Sequence, residues 1–144
     1  MAAGAAALTL ITGFEGLRRF AYYDPPGIPT VCYGHTGPDV KFGREYSFNE
    51  CTALLQKDVS VAAAAVQRAI TRPIPQPTFD ALVSFTYNVG EGSLRKSTLL
   101  RKLNAGDTVG ACRELPKWVY AGGVKLNGLV KRRAAEMALC LKGV

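Results

Sequence analysis

Glu15 and Asp24 stand nine positions apart, and Thr30 follows six positions after Asp24. Glu15 falls near the end of an apolar stretch, on the face shared by Leu8, Ile11 and Thr12 at helical spacing. Asp24 opens the Pro25-Pro26-Gly27 turn, and Thr30 enters a run of Val, Cys and Tyr. A helix end and a turn that fold back on each other set two carboxyls across a cleft. Partial burial favours the protonated form of Glu15, whereas Asp24 on a wet turn stays ionised. One protonated and one ionised carboxyl flanking a bond is the requirement of glycoside hydrolysis. Thr30 would add a hydroxyl able to hold a water near Asp24. The plain alternatives are a Glu15 paired with Arg18 or Arg19 and an Asp24 that only shapes its turn. Spacing alone does not choose between these readings.

Local signals outline the helices and turns around these residues. The spacing predicts a first helix over about Ala6 to Arg18. Phe20 to Gly37 is broken by Pro25, Pro26, Gly27, Pro29, Gly34 and Gly37, which predicts short strands and tight turns. Ser47-Phe48-Asn49-Glu50 has the capping-box pattern that opens a helix, and helical apolar spacing carries it to about Ile70. Pro73, Pro75 and Pro77 predict a stiff linker. Further helices are expected over Thr78 to Val89, stopped by Gly90, and over Ser93 to Asn104. Asp107 is expected to cap a short helix ending before Pro116. Gly122 and Gly123 mark a loop, and a last helix runs from about Gly128 to Leu141. Strands and helices are segregated: one helix, a small β-region, then five helices. That is an α+β arrangement, in which the small β-region leans on the long helix.

Composition bounds the function classes. The 144 residues are 48% apolar and 20% charged, which excludes a disordered chain and fits a single domain over 1–144. The net charge of +7 points to a polyanionic partner: nucleic acid, an anionic membrane or an anionic cell wall. Met1 to Ile11 is apolar, but too short for a span and without the basic region of a secretory signal. It reads as the start of the first helix or as the remnant, over residues 1–12, of an export or anchor segment. Cys32, Cys51, Cys112 and Cys140 have no metal-binding spacing, and His35 is the only histidine, so no metal site is expected. Two disulfides are allowed in three connectivities, with four reduced thiols as the alternative.

The string Glu15-x8-Asp24-x5-Thr30, followed by Tyr33-Gly34-His35-Thr36-Gly37, resembles the catalytic motif of the phage-type lysozymes, glycoside hydrolase family 24. The resemblance extends through Leu54-Leu55-Gln56-Lys57-Asp58-Val59, Phe79-Asp80-Ala81-Leu82, Tyr87-Asn88-Val89-Gly90, Ser97 to Asn104 and Gly128 to Glu136. Within that family, the Ala/Gly-rich start and four cysteines look most like the signal-anchor-release endolysins of phages infecting Gram-negative bacteria. The resemblance implies a two-lobed lysozyme-like fold: a β-lobe over about 20–46 and a helical lobe over about 71–144, joined by the long helix. It implies a muramidase that cuts the β-1,4 bond between N-acetylmuramic acid and N-acetylglucosamine in peptidoglycan, with no cofactor. Glu15 matches the general acid, Asp24 the carboxylate that activates or orients water, and Thr30 the residue that positions that water. An inverting displacement would follow, with the carboxyls about 6.5–9.5 Å apart. Some anchored relatives carry a cysteine nucleophile where this chain has Asp24, so a redox-switched catalytic thiol is not indicated.

The same resemblance assigns supporting residues. His35 and Asp58 match a pair tying the β-region to the long helix. Asn88 matches a cleft residue able to bond an N-acetyl group, a role compatible with capping the helix before Gly90. Arg132 or Arg133 matches an arginine near the acid, with Arg132 favoured. Cys112 and Cys140 fall on helices expected to be neighbours, Cys32 on a strand and Cys51 in the first turn of the long helix. The pairs Cys112–Cys140 and Cys32–Cys51 are therefore favoured. Trp118 is expected in the core rather than under a sugar, while Tyr22, Tyr23 and Tyr33 fit either role. Arg95, Lys96, Arg101, Lys102, Lys131, Arg132 and Arg133 are expected to form a basic surface drawn to the anionic envelope. The implied setting is a monomer exported to the periplasm, acting on peptidoglycan, with transient inner-membrane contact through the N-terminal segment and no nucleic-acid partner. The rival readings are a lytic transglycosylase, a non-catalytic wall-binding module and a basic nucleic-acid-binding protein.

Overall fold

The computed structural model describes residues 1–144. Helix α1 (Ala5–Glu15) leads into an antiparallel sheet of β1 (Arg18–Tyr23), β2 (Pro29–Cys32) and β3 (His35–Thr36), in that spatial order. Then come α2 (Phe48–Ala69), α3 (Gln76–Val89), α4 (Glu91–Lys96), α5 (Thr98–Asn104), α6 (Thr108–Cys112) and a 3-10 turn at Leu115–Lys117. A second hairpin, β4 (Tyr120–Ala121) and β5 (Val124–Lys125), precedes α7 (Asn127–Leu141). No helix is long and apolar enough to cross a membrane.

The architecture is α+β, as the pattern predicts, with local corrections. Helix α1 stops at Glu15: Gly16 leaves the helical conformation, and Arg18 instead enters β1 opposite Cys32. The linker is shorter than expected, because Pro77 lies inside the first turn of α3, where its missing N–H costs no helical bond. Ser93 to Asn104 is two helices rather than one. Ser97 is extended, and its hydroxyl accepts from Leu100 N–H while donating to the Leu94 carbonyl. In an unbroken helix Leu94 and Leu99 would point about 140° apart; the break turns both into the core. Six α-helices thus follow the sheet, not five. The Gly122-Gly123 loop proves to be the two-residue turn of β4–β5, with φ of +57° and +80°, the left-handed pair such turns require.

Helix α3 runs through the middle of the molecule. Every residue from Thr78 to Thr86 is buried, as expected of a helix enclosed on all sides by α1, α2 and α7. The main core gathers Ile11, Val66, Phe79, Leu82, Phe85, Leu99, Leu103 and Leu115 around it. The β-lobe buries only Val31, Cys32 and Tyr46 in a cluster completed by Cys51 of α2, too little to stand alone, and it rests on Leu54 of the same helix. The Ser47 capping box is formed in full. Cys32 is bonded to Cys51, joining β2 to α2, and Cys112 is bonded to Cys140, joining α6 to α7.

Candidate active site

The end of α1 delivers Glu15 to the junction of three elements. Its Oε2 accepts from Arg132 Nη1 of α7 at 2.6 Å. Its Oε1 lies against Gly34 in the β2–β3 turn: a Cβ at position 34 would sit 2.6 Å from that oxygen, and φ there is +80°. Glycine is required on both counts. The local arginines do not compete for Glu15. Arg18 stacks on Tyr22, while Arg19 bonds the Tyr46 carbonyl and pairs with Glu45.

Asp24 and Thr30 share one anchor, the backbone of Ile28. The Ile28 N–H donates to Asp24 Oδ1 at 2.7 Å, and the Ile28 carbonyl accepts from Asp24 N–H at 3.0 Å and from Thr30 Oγ1 at 2.9 Å. Asp24 Oδ2 remains free of protein partners. A groove of about 950 Å³ is lined by Pro25 and Pro26 together with Asn88, Trp118, Tyr120 and Arg133.

Behind Glu15 lies a buried ionic chain. Glu136, fully buried, accepts from Arg132 Nε at 3.3 Å, from Arg133 Nη1 and from Ser84 Oγ at 2.7 Å. Arg133 also bonds the Trp118 carbonyl at 3.0 Å and the Asn88 Oδ1. Burial pushes the Arg133 guanidinium below the usual arginine range, against the attraction of Glu136. The Asn88 amide N–H groups have no partner within the protein. Arg132 and Arg133 therefore do not belong to the basic surface. They are 4% and 1% exposed, their charge consumed by Glu15 and Glu136. Arg95 and Lys102 are also paired, with Glu91 and Glu114.

His35 is buried between two carboxylates, Asp58 of α2 at 2.7 Å and Asp39 at 3.0 Å. Burial is the largest single influence on its ring and opposes charging; the hydrogen bonds to Asp58 and Asp39 together outweigh it and raise its pKa. Asp39 is correspondingly lowered, chiefly by the His35 hydrogen bond. Tyr87 donates from its hydroxyl to the Tyr33 carbonyl at 2.7 Å, tying α3 to the β2–β3 turn. Burial, then the nearby charges of Asp58 and Glu15, push its phenol above the ordinary range. Beside Tyr87, a depression of about 220 Å³ is walled by Gly34, Thr36, Asp58 and Thr86, whose buried Oγ1 has no protein partner.

Trp118 takes a mixed position: it meets Phe85 edge-to-face at 5.3 Å in the core and also lines the groove. Of the tyrosines, Tyr23 stacks on Phe42 at the surface and Tyr33 packs between the two cores. Sequence reasoning gave Glu136 no role beyond its place in the C-terminal motif and missed Ser84, the Arg133–Asn88 bond and the Ile28 anchor. Only Glu136 left a local signal, a carboxylate three and four positions after two arginines.

The family model described as phage lysozyme matches residues 12–136. The SAR-endolysin of Bacteriophage PS119 is 50% identical over 131 residues, covering 91% of this chain and 78% of that protein. The structure of an endolysin from Escherichia coli O157:H7 phage FAHEc1 is similar with a TM-score of 0.90 at 38% identity, over 100% of this chain and 96% of that one. The muramidase domain of SpmX from Asticaccaulis excentricus matches with a TM-score of 0.88 at 34% identity, over 96% of each chain.

Proposed function

The chain belongs to the phage lysozyme family, and on that footing we propose that Glu15, Asp24 and Thr30 carry out its muramidase reaction on peptidoglycan. The bond cut is the β-1,4 link from N-acetylmuramic acid to N-acetylglucosamine. Glu15 protonates the glycosidic oxygen as the bond breaks. Asp24, through its free Oδ2, orients and deprotonates the attacking water, which Thr30 helps to hold. One displacement then inverts the sugar carbon. The observation that carries this reading is the anchoring of both carboxyls before substrate arrives. Arg132 and Gly34 hold Glu15 from two sides, and Ile28 holds Asp24 and Thr30 together. Groups fixed in this way need little reorganisation during reaction.

Asn88 offers its amide N–H groups to an N-acetyl carbonyl in the groove. His35 and Asp58 keep the β-lobe, with Asp24 and Thr30, in register with α2. The relatives named SAR-endolysins support an enzyme exported to the periplasm, with contact at the inner membrane through its apolar N-terminal segment.

The test is product analysis by mass spectrometry on purified peptidoglycan, wild type against Glu15→Gln. Reducing N-acetylmuramic ends that disappear in the variant support a hydrolase with Glu15 as its acid. Anhydro-muramic ends from the wild type would sink the water-dependent roles of Asp24 and Thr30.

A further inference from the structure

We propose that Glu136 is a positioning residue for this reaction: one fully buried carboxylate that holds Arg132 to Glu15 and Arg133 to Asn88. The inference rests on the reading of Glu15 as the proton donor and Asn88 as a substrate contact.

Glu136 sits on α7, three and four positions after the two arginines, so all three side chains share a face. That face is turned inward, with Glu136 fully enclosed. Its two oxygens are divided between the arginines. Oε2 takes Arg132 Nε and Ser84 Oγ; Oε1 takes Arg133 Nη1. Each arginine then extends a second arm to a site residue, Arg132 Nη1 to Glu15 and Arg133 Nη2 to Asn88. Glu136 touches neither the groove nor a substrate position. It acts through both arginines, linking the proton donor and the binding amide.

Charge balance gives the link a consequence. Two guanidiniums, adjacent in sequence and both buried, face Glu15 and Glu136. While Glu15 carries its proton, Glu136 alone compensates the arginines. Without Glu136, the two buried guanidiniums would have Glu15 as their only carboxylate counter-ion, and the surroundings of the proton donor would become more positive. The other charged or titratable groups around Glu15 are Arg133 behind Arg132, Tyr87 from α3, and Asp58 of α2 beyond Tyr87. None of them bonds Arg132, so none replaces Glu136.

The experiment compares Glu136→Gln and Glu136→Asp with wild type on purified peptidoglycan, reading kcat and KM across pH, with folding checked by circular dichroism. For a folded Glu136→Gln we expect kcat to fall about ten- to a hundredfold, the scale of a misplaced catalytic group. KM should rise as Asn88 loosens, and the alkaline limb of the kcat profile should move to lower pH. Glu136→Asp should recover part of each change. A folded Glu136→Gln with wild-type kcat, KM and alkaline limb overturns the proposal, as does a variant that loses only thermal stability. If Glu136→Gln does not fold, Glu136→Asp decides: a displaced alkaline limb supports the proposal and an unmoved one overturns it. Glu15→Gln is assayed in parallel. Turnover surviving in that variant would overturn the reading of Glu15 as acid, separately from the role of Glu136.

Discussion

Arg132 Nη1 donates to Glu15 Oε2 at 2.6 Å across 117 positions of sequence, joining the last helix to the end of the first. The guanidinium is buried and the carboxyl partly open, so the pair is shielded on the protein side while Glu15 keeps part of its surface in solvent. Two further bonds, to Glu136 and to the Ser84 carbonyl, fix the orientation of Arg132.

Replacing Arg132 with Met leaves Glu136 and Glu15 without a shared cation. Removing one partner of a buried ion pair costs about 3–5 kcal/mol. Urea unfolding of Arg132→Met should show a loss on that scale, together with lost activity, because Glu15 is no longer held from the α7 side. A variant as stable as wild type would contradict the burial of this chain of charges.

Gly34→Ala tests the other side of Glu15. The new Cβ would stand 2.6 Å from Glu15 Oε1, at a φ of +80°. The backbone strain alone costs about 1–2 kcal/mol. Displacement of the carboxyl should lower kcat by about tenfold or more. Thermal melts and initial rates on peptidoglycan separate the two effects.

His35 gives the lobes a pH-dependent tie. Its folded pKa is raised above the ordinary 6.5. Its contribution to stability is therefore fully present below that value and is lost as pH rises through the folded pKa. Asp39 is lowered from 3.8, so its share is present above that value and lost as pH falls through its folded pKa. Unfolding free energy measured by urea should fall as pH rises above 6.5, and Asp58→Asn should flatten that slope. An equal slope in wild type and variant would remove the His35–Asp58 pair as its cause.

The two disulfides should differ in what they protect. Cys112–Cys140 closes a separation of 28 residues within the helical lobe, and Cys32–Cys51 one of 19 between the β-lobe and α2. Removing either pair by Ser substitution should cost about 2–4 kcal/mol. Loss of Cys32–Cys51 should also lower activity at temperatures where the protein stays folded, because β2 carries Thr30. Rates that fall equally for both variants would show that the β-lobe needs no such tether.

The features legible in the sequence were those settled by neighbours in the chain. The Ser47–Glu50 capping box, the Asp24 turn and the stop at Gly90 each depend on groups within a few residues. The α+β class followed from the segregation of helical spacing and turn residues. The break at Ser97 did not follow, because it depends on where the core lies relative to Leu94 and Leu99. The hairpin at Gly122-Gly123 read as a loop because two-residue strands carry too little periodicity to register.

Spacing and turn chemistry act over short range, and they were enough to put Glu15 near a helix end, Asp24 in a turn and Thr30 on a strand. Packing between distant elements brings Arg132 to Glu15 and buries Arg132 and Arg133 inside rather than on a basic surface. The same packing encloses Glu136 with both arginines. A buried charge is tolerable only where opposite charge surrounds it, and here that charge comes from α1 as well as from α7. No local pattern encodes such a neighbour; packing α7 against α1 and α3 brings it into place.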